Sequence, residues 1–285
     1  MEDVSLDNLF SGLEAFGLDK LSGVDIYDKE KENANASEAA AKPAFSEADF
    51  IYDKSFTCPV CDKEFKSKVV KFGKIKLDGL DSDLRPIYQN MDPLKYDAVV
   101  CPACGYAALS RFYKFVTPTQ ADLIKKSISA AFKGIKETGD ILEYDDAIAR
   151  HKLALLSSVV KKAKTSERAY TCLKTAWVIR GKAEKLPQNT ADYKQQIAAL
   201  EKEELDFIAK AYDGFSEAFS KEPFPMCGMD EVTIMILLAE LSRRIGKYDE
   251  SSHWVSRVLI SREANERIKD KAREIKEWLR EQKSN

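Results

Sequence analysis

Thr117-Pro118-Thr119-Gln120 divides this chain of 285 residues into two unlike parts. A threonine hydroxyl at a helix start can accept from the backbone N–H three residues on, and a glutamine there can return the bond. Pro118 fits the first helical position, where its missing N–H and fixed φ carry no penalty. Beyond this start the apolar residues keep a helical period to the end of the chain. The first face carries Ala121, Ile124, Ile128, Ala131 and Ile135, with Gly139 as a break, and the second Leu153, Leu156, Val160 and Ala163. A third holds Ala169, Cys172, Leu173, Ala176 and Ile179, ended by Gly181, and a long fourth runs from Tyr193 through Ile197, Leu200, Phe207 and Ala211 to Phe215. Three more start near Ile234, Tyr248 and Ile268, with short breakers such as Pro223-Phe224-Pro225 and Gly246, so neighbours are expected to pack as antiparallel hairpins.

Gly246-Lys247-Tyr248-Asp249-Glu250-Ser251 resembles the inter-helix signature of tetratricopeptide repeats, and Tyr144-Asp145-Asp146-Ala147 is a weaker echo. Ser251 stands where the family has a small alanine, so the expectation is tetratricopeptide-like hairpins rather than a regular array.

Upstream of Thr117 lie Cys58-Pro59-Val60-Cys61 and Cys101-Pro102-Ala103-Cys104-Gly105. Two residues between cysteines let a tight turn present both sulfurs on one side, and two such turns supply four soft ligands for a tetrahedral ion. Four thiolates leave no open coordination position, which points to one structural zinc ion per chain held by Cys58, Cys61, Cys101 and Cys104. Iron or a redox pair are the alternatives, although thioredoxin-like chemistry needs a βαβ context that is not visible. Gly105 leaves its turn with freedom for positive φ, and Asp62 is a tolerated substitute in the first turn. Alternation in Phe65 to Val70 and in Ala98 to Cys101 predicts short strands beside each pair. The 39 residues between the pairs imply a zinc ribbon with an insertion.

The runs CPVCDKEFKSKVVK (58–71) and LDSDLRPIYQNMDPLKYDAVVCPACGYAALSRF (80–112) resemble the bacterial domain-of-unknown-function 2225 family. The likeness rests on the paired cysteines, Asp81 and Asp83, Tyr88, Pro93 and Tyr96 before the second pair, and the Gly105-Tyr106 exit. Phe224-Pro225-Met226-Cys227-Gly228-Met229-Asp230 extends it toward residue 260. The resemblance implies a zinc-binding module fused to helical repeats in a bacterial cytoplasmic protein, and no known reaction.

The fold expected is therefore mainly α: an acidic extension over 1–50, a four-cysteine zinc-ribbon-like module over 51–116, and a tetratricopeptide-like helical domain over 117–285. In the extension, Leu6, Leu9, Phe10, Leu13 and Phe16 share one face of a short helix that would dock in cis or in trans, and a polar, Ala-rich leash follows. A net charge of −2 gives no global field for a polyanion, and the longest apolar run, Ile234 to Ala239, is too short to span a membrane. With no export signal read and four of six cysteines in metal-type spacing, a reducing cytoplasm is the expected compartment.

Three functional readings follow. The first is an adaptor or scaffold that binds a protein or peptide on its helical hairpins. The second is a nucleic-acid-binding regulator using Lys66, Lys68 and Lys71 interleaved with Phe65 and Phe72, in a segment with 10 bases against 7 acids between Cys58 and Pro118. The third is a thiol sensor or enzyme at Cys227, just ahead of a helix start. Only two histidines occur, His151 and His253, both expected at helix surfaces or boundaries; no triad or phosphate loop is present, which points away from an enzyme. Cys172 is read as a core residue, and Asp78, Asp81, Asp83 and Asp92 with Arg85 as a capped turn containing an Asp–Arg pair.

Overall fold

A computed structural model describes residues 46–135 and 139–284; the N-terminal helix expected from Leu6 to Phe16 lies outside them. Among the described residues the chain is mainly helical. The capping box forms as read, with Gln120 N–H donating to Thr117 Oγ1 (3.3 Å) and Thr117 N–H to Gln120 Oε1 (3.1 Å), and starts α1 (Pro118–Ile124). There follow α2 (Tyr144–Val160), α3 (Thr165–Lys185), α4 (Tyr193–Lys221), α5 (Glu231–Arg244), α6 (Tyr248–Ile260) and α7 (Glu266–Ser284). Each packs on its chain neighbour, with α3 between α2 and α4 and α5 in contact with α4, α6 and α7. The apolar face of α5 is nearly all interior: Ile234, Leu238, Ala239 and Leu241 are fully buried.

Three helical expectations need correction. The stripe from Ala121 does not continue to Ile135: α1 widens into a π turn at Lys125–Ser129, Ile128 is the last buried residue, and Gly134 (φ 100°) redirects the chain. In α2 the interior face is Ala147, Ile148, His151, Ala154, Ser157 and Ser158, while Leu156 is 50% exposed. Small side chains let this helix approach the strands closely, and Ala107 N–H reaches Ser157 Oγ at 3.2 Å. Gly181 does not end a helix but lies within α3, where a Cβ would come within 2.7 Å of Asp92 Oδ2 and 2.9 Å of Tyr144 Cε1. Its role is close approach between elements.

Three antiparallel strand pairs precede the helices: β1 (Ile51–Thr57) with β2 (Glu64–Val70), β3 (Leu77–Leu80) with β4 (Pro86–Tyr88), and β5 (Ala98–Val100) with β6 (Ala107–Leu109). The strands expected at Phe65 to Val70 and after Ala98 are β2 and β5. Both faces of β5 and β6 are buried, Ala98, Val100, Ala107 and Leu109 packing with Ala154 of α2. No described helix is long and apolar enough to cross a membrane.

Candidate metal centre

The two cysteine pairs occupy the turns of two hairpins built alike. Thr57 pairs with Glu64 at the end of β1–β2, and Val100 with Ala107 at the end of β5–β6, so residues 58–63 and 101–106 are equivalent loops. In each, the first cysteine donates its N–H across the loop, Cys58 to Lys63 O (3.0 Å) and Cys101 to Tyr106 O (2.8 Å). Its carbonyl then accepts from the residue four on, Asp62 N (2.9 Å) in one loop and Gly105 N (3.0 Å) in the other. Asp62 (φ 59°) and Gly105 (φ 74°) take the left-handed conformation that closes the turn. At Gly105 there is a second reason for glycine, because a Cβ would meet Phe132 Cδ2 at 2.5 Å.

The loops bring the four sulfurs within 4.8 Å of one another. Cys58 and Cys104 are 3.6 Å apart, and Cys61 and Cys101 3.7 Å. A tetrahedron with Zn–S bonds of about 2.3 Å has edges of about 3.8 Å, whereas a disulfide needs about 2.05 Å. The spacing therefore fits an ion shared by four thiolates and not a pair of disulfides. Val60 N–H points at Cys58 Sγ (3.5 Å), the backbone support expected of a knuckle.

The crowded sulfurs perturb one another's ionisation. Hydrogen bonding from Cys104, helped by the Val60 and Cys61 amides, lowers the Cys58 thiol to about 5, while Cys104, on the other side of that bond and buried, is pushed well above its ordinary range. Burial raises Cys101 to about 11. Cys58 and Cys104 thus oppose each other's ionisation, and a bound divalent cation would favour the thiolate form of its ligands. Around them lies an apolar shell of Val60, Val99, Ile124 and Ile128. Phe56 stacks on Phe65 (centroids 5.8 Å), and Tyr113 meets both edge-on. Burial, then the charge on Cys58, raise the Tyr113 phenol so that it stays protonated beside the sulfur. Such a shell excludes competing water ligands.

The other candidates fall elsewhere. Burial pushes Cys227 up to about 11, and its thiol donates to Ser166 O (3.3 Å), so it is a protonated packing group near neutral pH. Cys172 is a core residue, raised to about 11 by burial. His253 is exposed on α6, as expected, but His151 is fully buried within α2, its Nδ1 2.8 Å from Ala147 O, because the small-residue face of that helix is the interior one. Lys66 and Lys68 alternate with Phe65 and so lie on the hairpin face opposite to it; Lys68 pairs with Asp53 (3.2 Å), and Lys71 Nζ donates to Asp49 O. Phe65 is packed with Phe56 and Tyr113 and offers no free platform.

The Asp–Arg turn is real but is part of something larger that sequence reasoning missed. Arg85 Nε donates to Asp81 Oδ2 (2.6 Å), and Asp83, fully buried, is the hub of an ionic cluster across three helices. Asp83 accepts from Arg180 of α3 (3.1 Å at Oδ1), Arg244 of α5 (2.9 Å) and Trp177 Nε1 (3.0 Å). Arg180 and Arg244 both donate to Glu204 of α4 (2.8 and 2.7 Å). Arginines within otherwise apolar helix faces were the available signal, but their partners are 97 and 161 residues away.

No curated protein and no solved structure matches the chain. A family model described as an uncharacterized protein conserved in bacteria, DUF2225, matches residues 51–279, a span that takes in both cysteine loops, the ionic cluster and α1 through most of α7. The chain belongs to the DUF2225 family.

Proposed function

We propose that Cys58, Cys61, Cys101 and Cys104 hold one structural zinc ion and that the protein is an adaptor or scaffold. In this reading a zinc-ribbon-like module is fixed against tetratricopeptide-like hairpins that bind a protein or peptide. The carrying observation is the closed set of four sulfurs within 4.8 Å, which offers a metal four ligands and no vacant position. The ion would supply cross-linking of two hairpins, worth on the order of 10 kcal/mol by the scale of small zinc modules. Soft thiolates select zinc over harder ions, and cysteines kept as metal ligands suit a reducing cytoplasm.

The helical corner supports the second half of the reading. Gly246 takes φ 78° between α5 and α6, and Ser251 is buried where the repeat signature has a small residue, its Oγ donating to Ala239 O (2.7 Å). Large apolar side chains stand exposed on several helices, among them Leu156, Val159, Leu205 and Ile260. The test is reconstitution. A partner cross-linked to the full chain, then purified and added back, should bind the parent and bind Leu205→Asp or Ile260→Asp variants at least tenfold more weakly, with metal content unchanged. Equal affinity for parent and both variants would remove the helical surface from the proposal.

A further inference from the structure

The second surface of interest is a cleft of about 530 Å³ between the β1–β2 hairpin and the start of α3. It opens on the hairpin face that carries Lys54, Phe56 and Val69, opposite the face of Lys66 and Lys68. That volume is in the range of small-ligand sites and too small for a helix. Phe72 is 61% exposed at its rim and meets Tyr88 edge-on (centroids 6.4 Å), which leaves a ring face open to solvent. Four cations and one acid line the cleft.

The state of those charges selects the occupant. Asp97 is neutralised by Lys174 (3.3 Å) and Ser110, so neither it nor Lys174 is available. Arg111 donates to Cys227 O, with its guanidinium over Tyr170 (5.1 Å) and Phe112 (5.6 Å). Without an ion pair among the described residues are Arg111, held in this way, and the exposed ammonium groups of Lys54, which lies over the Phe56 ring (5.6 Å), and Lys114. Ammonium groups bind phosphate as point charges, whereas paired recognition of a carboxylate prefers a guanidinium fork, and that of Arg111 is turned toward Cys227 O and its flanking rings. An exposed aromatic ring beside cations without acid partners thus calls for a flat ring joined to phosphate.

We propose that this cleft takes a nucleotide unit of single-stranded nucleic acid, its base against Phe72 and its phosphates at Lys54 and Lys114. A free nucleotide has the same chemistry, and the experiment separates the two. Full-length protein is titrated into a labelled oligouridylate of about twelve nucleotides, at salt from about 50 to about 200 mM, with uridine monophosphate as competitor. Phe72→Ala should weaken binding about tenfold, the scale of one lost base stack. Lys54→Ala with Lys114→Ala should flatten the log–log salt slope by about 1.4, at about 0.7 per phosphate. The Lys66→Ala, Lys68→Ala pair on the other face should change little. Monophosphate that competes as tightly as the oligomer would assign the free nucleotide and overturn the strand. No binding of either at the lowest salt, binding indifferent to the cleft variants, or capture of an acidic aromatic peptide instead would overturn the proposal. Metal content, measured in parallel, stays constant in these variants, so failure here is distinguishable from failure of the zinc reading.

Discussion

The two cysteine hairpins have the same loop and opposite surroundings. β5–β6 is three residues per strand, buried throughout and bonded to Ser157 of α2, so the helices hold it in place. β1–β2 is seven residues per strand, and between Ile51 and Phe56 four consecutive residues of β1 are exposed. Its near end is tied to the core by Phe50, Ile51 and Val70, while its far end packs through Val60, Phe56, Phe65 and the two sulfurs. One hairpin is a part of the helical core; the other is a lever that meets it at the four-sulfur cluster. Identical loops can thus sit on a strand pair buried on both faces and on one that is largely exposed.

The comparison breaks most visibly at the cysteines. Cys58→Ser or Cys101→Ser should abolish metal binding, removing a stabilisation on the order of 10 kcal/mol from the module. Hydrogen exchange should then rise by orders of magnitude in residues 56–66 and far less in 98–109, while most helical signal remains. Equal loss of protection in both hairpins would show that packing does not distinguish them. A chelator strong enough to strip the parent should reproduce the same pattern.

Next in size is the ionic cluster, which attaches the β3–β4 turn to α3, α4 and α5 without any metal. Asp83→Ala removes the fully buried hub and leaves Arg180 to Asp81 and Glu204 and Arg244 to Glu204 alone, which should cost about 3 kcal/mol, read as a fall in the denaturation midpoint. Asp81→Ala, half-buried and backed by other carboxylates, should cost much less. Zinc content should survive both changes, since the cluster and the cysteines are separate attachments.

Smaller again is Gly181→Ala. Alanine is the better helix former by about 1 kcal/mol, yet its Cβ would lie 2.7 Å from Asp92 Oδ2, and overpacking of about 1–3 kcal/mol should win. Gly73→Ala, with nothing within 4 Å, should be close to neutral. A stabilised Gly181 variant would mean the segment around Asp92 yields easily.

The smallest effect concerns pH. Burial holds His151 below its usual range, with Asp97 raising it and Lys174 lowering it. In the unfolded chain it takes a proton near pH 6.5, so the unfolded state binds more protons and stability falls as pH drops below that value. The slope cannot exceed about 1.4 kcal/mol per pH unit for one proton. His151→Gln should flatten stability between about pH 5 and 6.5, measured by denaturant titration, and an unchanged slope would assign it to the carboxylates.

What could be read in advance follows the range of the interaction. The cysteine loops are local: spacing, Gly105 and Asp62 specify the turn whatever surrounds it. The helix start at Thr117 is local as well, and its cap forms. β1 was missed because IYDKSFT is polar and its exposed face resembles a loop. The inner face of α2 was misassigned because Ala154, Ser157 and Ser158 go inside for closeness, leaving Leu156 out. His151 was carried inward with them. Asp83 belonged to a turn in sequence and to three helices in space, a relation that no local pattern encodes.

The central claim is that the four cysteines bind one metal ion. Elemental analysis of full-length protein, purified without a chelating tag or added metal, tests it directly. One zinc per chain is expected in the parent and none in Cys101→Ser. Metal-free parent protein that keeps its hairpin protection, or a Cys101→Ser variant with full zinc, would contradict it.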